Sequence, residues 1–98
     1  MITHTVFFRL KHAKDSAAER KFLTAAAALA NIPGVMDFEM LRQTSPKNDF
    51  DYGLSMKFAN QAAYDAYNDN PFHIRFVYDL WVPEVAAFLE IDYVPLHQ

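Results

Sequence analysis

Residues 2–10 alternate: Ile2, His4, Val6, Phe8 and Leu10 fall on one side of an extended chain, and Thr3, Thr5, Phe7 and Arg9 on the other. A period of two marks a strand with one buried face. The period then changes. Ser16 and Glu19 form a box that opens a helix, and Phe22, Ala26 and Leu29 recur at helical spacing through an alanine-rich stretch to about Asn31, with Ile32 just beyond. Pro33-Gly34 stops that helix and turns the chain. Residues 35–42 read as a second strand, with Met36, Phe38 and Met40 against Asp37 and Glu39. The polar run from Thr44 to Asp51, with Pro46 and Asn48, predicts a hairpin loop. A third strand, about 52–58, sets Tyr52, Leu54, Met56 and Phe58 against Gly53, Ser55 and Lys57.

Asn60 is placed to cap a short helix through about Asn68. Asn70-Pro71 opens another, to about Leu80: asparagine is a good cap, and proline fits the first helical position, where its missing N–H costs nothing. Pro83 is expected to restart helix, with Val85 and Phe88 packing inward. Leu89, Ile91 and Tyr93 alternate with Glu90 and Asp92 as a final strand. The expected outer face of the sheet is polar and holds Thr3, Thr5, Phe7, Arg9, Asp37, Glu39, Lys57, Glu90 and Asp92. Strand, helix, strand, strand, helical region, strand is the order of an α+β, ferredoxin-like βαββαβ protomer with its helices on one face.

Composition narrows the class. The 98 residues contain no repeat, low-complexity tract or linker and read as a single domain, 1–98. At 52% hydrophobic the chain has enough apolar surface to fold. A net charge of −3 without any lysine or arginine cluster argues against nucleic acid and against an anionic membrane as partner. The absence of cysteine rules out disulfides, thiolate nucleophiles and zinc–cysteine sites. No apolar run approaches about 18 residues, so a soluble cytoplasmic protein is expected.

The candidate chemistry lies in His4, Tyr67 and His73. His4 sits on an otherwise apolar strand face. A buried imidazole needs a partner for at least one nitrogen, and the Tyr67 hydroxyl is a candidate. His73 follows Asn70-Pro71 and falls in the first helical turn, where the helix dipole disfavours imidazolium. A neutral ring there can accept a proton or orient a polar ligand group. If the three face one cavity they form a proton-transfer or recognition site. Phe8, Phe72, Phe76 and Trp81 are candidate ligand contacts, although such an aromatic run also suits core or interface. His4 and His73 offer two metal ligands, but no motif supplies a third, so no metal is expected. With only Gly34 and Gly53 there is no glycine-rich phosphate loop.

The segments His4-Thr5-Val6-Phe7-Phe8-Arg9-Leu10-Lys11, Ile32-Pro33-Gly34-Val35, Tyr64-Asp65-Ala66-Tyr67, Asn70-Pro71-Phe72-His73 and Asp92-Tyr93 together resemble the stress-responsive A/B-barrel (Dabb) family, over about residues 2–94. The resemblance implies a homodimer in which two sheets pack face to face into a dimeric α/β barrel. The family includes the plant enzyme olivetolic acid cyclase, which closes a linear polyketide without metal or cofactor. Its catalytic tyrosine and histidine match Tyr67 and His73, and its first-strand histidine matches His4. Asn70 and Phe72 depart from the frequent His-Pro-Ala-His pattern, and the larger Phe72 is expected to narrow a pocket mouth. Two functions follow as expectations. One is a dimeric domain that binds a small apolar ligand or a partner. The other is a cofactor-free polyketide-cyclase-like or proton-transfer enzyme, with His73 as general base and Tyr67 and His4 polarising a carbonyl oxygen.

Overall fold

The alternation in the first and third strands translates directly into a sheet. In the computed structural model, which describes residues 1–97, the elements are β1 (Ile2–Leu10), α1 (Ala17–Ala27, extended by a 3₁₀ turn Ala28–Asn31), β2 (Met36–Arg42), β3 (Tyr52–Phe58), α2 (Gln61–Asp69), α3 (Pro71–Phe76) and β4 (Val85–Tyr93). The strands pair antiparallel in the order β2-β3-β1-β4, the ferredoxin-like α+β arrangement. One sheet face is covered by helices. Val6, Phe8 and Leu10 of β1 and Tyr52, Leu54, Met56 and Phe58 of β3 are buried against Phe22, Ala26, Leu29, Tyr64, Tyr67 and Phe76. Phe8 lies at the centre, with the rings of Trp81, Tyr52 and Phe22 at 5.1, 5.8 and 5.9 Å. Burying one side chain of this size contributes roughly 1.5–3 kcal/mol.

The helices begin where their caps predict. Ser16 Oγ accepts from Glu19 N (3.2 Å), Asn60 Oδ1 from Ala63 N (2.9 Å) and Asn70 Oδ1 from Phe72 N (2.9 Å). Glu19 does more than close its box. Its carboxylate accepts from Asp15 N at 3.0 Å and from the Tyr52 hydroxyl at 2.7 Å, tying the start of α1 to β3.

Three expectations are corrected. In β2, Met36 pairs with Lys57 but Glu39 pairs with Ser55, so one extra residue is inserted. Asp37 takes it up at φ 50°, a left-handed conformation that aspartate tolerates. The bulge moves Met36 to the outer face, away from Phe38 and Met40. Second, the helix does not stop near Leu80. It continues through a wide π turn, Val77–Trp81, into a last turn, Val82–Glu84, with Val82 N–H bonded to Val77 C=O. Pro83 lacks an N–H and its ring would strike the carbonyl four residues back in a regular helix; the widened turn accommodates it. The strand then begins at Val85, so Val85 and Phe88 pack from β4, with Phe88 opposite Phe8.

The third correction decides the site. Glu90 pairs with Val6 and Asp92 with His4, which places both carboxylates on the helix-covered face. Leu89, Ile91 and Tyr93 pair with Phe7, Thr5 and Thr3 on the other face. β4 is an edge strand, so its carboxylates keep access to water at the rim while reaching His4. The outer face, expected to be polar, instead carries an apolar row across the sheet: Leu41, Gly53, Phe7 and Leu89 in register. Phe7 lies over Gly53, where an added Cβ would meet its ring at 3.1 Å.

Candidate functional site

β1 presents His4 to the helix-covered face, where it is 7% exposed. Nδ1 lies 2.6 Å from Asp92 Oδ1 and 2.9 Å from the Tyr64 hydroxyl, which itself donates to Asp92 Oδ2 at 2.7 Å. A carboxylate only accepts, so Nδ1 carries a proton, and in the neutral ring the lone pair is on Nε2. Glu90 stands beside this group, with Oε1 3.3 Å from the Tyr64 hydroxyl and 4.0 Å from His4 Nδ1. Burial, and then the Asp92 and Glu90 charges, push the Tyr64 phenol well above its ordinary pKa, so it stays a donor.

The end of α2 and the start of α3 supply the second half. The Asn70 cap and Pro71 turn the chain so that the His73 ring lies 4.4 Å from the Tyr67 ring, which is 6.2 Å from that of His4. His73 Nδ1–H donates to the Asn68 carbonyl at 3.3 Å, leaving Nε2 as an acceptor. Burial lowers the His73 pKa below its ordinary value of 6.5; the nearby His4 also lowers it, while the Asn68 bond opposes the shift. The ring is therefore neutral at pH 7, as the sequence suggests, with burial as the leading cause. Tyr67 is raised, first by burial and then by the Glu90 charge, and remains protonated. Among the described residues, no enclosed side-chain polar atom lacks a partner and no residue bonds the Tyr67 hydroxyl, and Tyr67 lines a cavity.

That cavity has a volume of about 520 Å³. Polar groups of His4, Tyr67, Asn68, His73 and Glu90 meet a wall of Val6, Leu29, Leu54, Met56, Phe76, Val77, Trp81, Val82, Val85 and Phe88. His4, Tyr67, His73, Phe76 and Trp81 thus stand where the sequence suggested. Two ligand contacts do not. Phe8 is fully buried and supports the wall from behind, its ring 5.1 Å from Trp81. Phe72 is half exposed and is not among the lining residues, so it narrows no mouth. The partner of His4 is also corrected: Tyr64, one turn before Tyr67 on the same face of α2, reaches it instead.

Tyr64, Glu90 and Asp92 were missed as site residues. The signal was the requirement of a buried imidazole for a partner, met by carboxylates on the strand paired with β1. Among the described residues, His4, Glu90 and Asp92 are the group with the donor set of a metal site, their ligand atoms within 4.8 Å of one another. A cation at Nδ1 would have to displace the proton that Asp92 accepts. The geometry is that of a hydrogen-bonded carboxylate–histidine pair.

A family model described as the Stress responsive A/B Barrel Domain matches residues 2–95. The chain belongs to this family. A Dabb family protein with a ferredoxin-like fold from Mesorhizobium loti is 60% identical, with a TM-score of 0.94 over 97% of this chain and 96% of that one. Two plant structures share the Dabb fold at low identity. One is an Arabidopsis thaliana protein: 20% identity, TM-score 0.84, 100% of this chain and 98% of that one. The other is a hydroxynitrile lyase from Passiflora edulis: 16% identity, TM-score 0.85, 99% and 94%. At those identities they establish the fold alone. Comparison with curated proteins finds no match. Among the described residues, no helix of this Dabb chain is long and apolar enough to cross a membrane.

Proposed function

We propose that this Dabb protein binds a small, mainly apolar molecule with a hydrogen-bonding head, and that its own side chains transfer a proton on that molecule. The observation that carries the reading is the Asp92–His4 pair at 2.6 Å at the edge of an apolar cavity. A carboxylate on Nδ1 holds the imidazole in one tautomer and stabilises the imidazolium that forms when Nε2 takes a proton. Among the described residues no carboxylate hydrogen-bonds to His73, and burial keeps its pKa low against the opposing pull of the Asn68 bond and the Glu90 charge. The geometry therefore favours His4 over His73 as general base. His73 Nε2 is suited to accept a hydrogen bond from the ligand.

For a carbonyl compound the step is an enolisation. His4 Nε2 removes the proton on the carbon beside the carbonyl. The C–H electron pair moves into the new C=C bond, and the former C=O pair moves onto oxygen. The Tyr67 hydroxyl donates to that oxygen. Return of the proton to carbon closes a racemisation or exchange; attack by the enolate carbon on a second carbonyl closes an aldol. The hydroxynitrile lyase on the same fold is one example of an enzyme built on it.

The active form is proposed to be a homodimer. Structural neighbours from Thermobifida fusca, Bacteroides fragilis and Jannaschia are described as dimeric, and the exposed Leu41, Leu89, Ile91 and Tyr93 beside Phe7 give this sheet a face suited to a second copy.

Benzylacetone, a neutral ketone with an aromatic body, is a direct probe. Its addition should shift the ring signals of His4 and His73. In deuterated buffer the protein should accelerate loss of the protons beside the carbonyl. His4→Ala should abolish that exchange with the circular dichroism spectrum unchanged. Binding without accelerated exchange would leave a binding protein and reject the enzyme; no binding to any small ketone or aromatic would reject the cavity reading itself.

A further inference from the structure

We infer that the cavity selects by charge, and that Glu90 is the residue that makes it reject anions: the ligand head that meets His4, Tyr67 and His73 is uncharged. The inference rests on the cavity reading above and goes beyond it by naming the substrate class. Among the described residues, Glu90 is the one carboxylate in the cavity wall, and no lysine or arginine lines it. The two histidines there, in their neutral forms, do not offset that charge. His4 donates its Nδ1 proton to Asp92, and His73 donates its own to the Asn68 carbonyl. In its neutral form each ring meets the cavity with a lone pair. The remaining side-chain donors among the lining residues, those of Tyr67, Asn68 and Trp81, are neutral.

An anionic head would therefore find only uncharged donors, two acceptor nitrogens and a carboxylate. It would lose its hydration without gaining a cation. Glu90 makes its field felt in the cavity, since its charge contributes to holding Tyr67 protonated. The chemistry agrees. Moving a proton from a neutral ligand to His4 creates an anion and a cation together, and Glu90 and Asp92 favour the cation. A ligand that arrives charged adds a second anion beside them. Neutral ketones, aldehydes and phenols with a hydrocarbon body fit; free carboxylates and phosphate esters do not.

Benzylacetone and hydrocinnamate form a matched pair: the same aromatic body, with a methyl ketone replaced by a carboxylate of nearly the same shape. Titration calorimetry at pH 8 should show the wild-type protein binding benzylacetone at least about tenfold more tightly, the order expected for one unscreened unit charge at the edge of a low-dielectric cavity. Glu90→Gln should narrow the gap by about tenfold, chiefly through tighter binding of hydrocinnamate. Glu90→Lys should reverse the preference. Half of the Glu90 side chain is exposed, so both variants should fold. Equal affinities in the wild type, or a Glu90→Gln change that moves both ligands alike, would overturn the charge filter while leaving the cavity reading in place. If neither ligand binds the wild type or either variant, both readings fall together.

Discussion

His4 and Asp92 illustrate how one hydrogen bond sets the chemistry of a ring. Were Asp92 neutral, either nitrogen of His4 could hold the proton. Asp92→Asn should therefore convert a single Nδ1–H tautomer, visible in the ring-nitrogen NMR spectrum, into a mixture. Any catalysed exchange should fall by about 10- to 100-fold, as when a group that orients an imidazole is lost. An unchanged tautomer would remove Asp92 from the site. His73 offers a second measurement. Its folded pKa lies below its unfolded value, so the folded state binds a proton less readily than the unfolded one. The stability it contributes is complete above about pH 6.5 and is lost as the pH falls through the folded pKa. Replacing His73 with glutamine should flatten this part of the stability–pH profile, read by chemical denaturation between pH 5 and 7.5. A ring titration at or above 6.5 would contradict the burial that the structure gives it.

Among the elements, α1 depends on one carboxylate more than its cap signature suggests. Glu19 is buried and accepts from both the Asp15 backbone and the Tyr52 hydroxyl. Glu19→Ala should lower stability by about 1–3 kcal/mol, because it leaves buried donors without a partner. Denaturant unfolding would measure it, and a change within 0.5 kcal/mol would mean that water replaces the carboxylate. The strand faces show where sequence reading succeeds and where it runs out. β1 and β3 are central strands with one face in the core, so hydrophobicity alone orients them. β4 lies at an edge with both faces partly open. There, hydrophobicity favours putting Leu89, Ile91 and Tyr93 inward, and only the register with β1 reverses them. Tyr67 and His73 were legible because capping chemistry at Asn70-Pro71 is local; Glu90 and Asp92 were not, because their role depends on a strand pairing across the whole chain. The Asp37 bulge and the π turn before Pro83 were likewise invisible to a period count, since each inserts a residue within a regular pattern.

For the whole molecule, the apolar row on the outer sheet face gives the proposed dimer a specific weak point. Ile91 stands on that face opposite Thr5 and away from the cavity. Ile91→Lys should reduce the light-scattering mass from that of two chains to that of one at micromolar concentration while leaving the His4 tautomer signal intact; a mass of one chain already in the wild type would reject the dimer. The antiparallel pairing of β1 with β4 also sets Thr3 against Tyr93, so the start of β1 and the end of β4 are neighbours. A short glycine-rich bridge should join them, with the chain reopened between Pro33 and Gly34 in the exposed turn before β2, which leaves the β2–β3 hairpin local. In such a circular permutant, His4 and Asp92, 88 positions apart in the present order, become close along the chain. The β1–β4 contacts turn from the most distant in the molecule into local ones. Lower contact order speeds folding. The permutant should refold faster than the parent in stopped-flow measurements, with the His4–Asp92 pair among the first parts to assemble instead of waiting for the last strand.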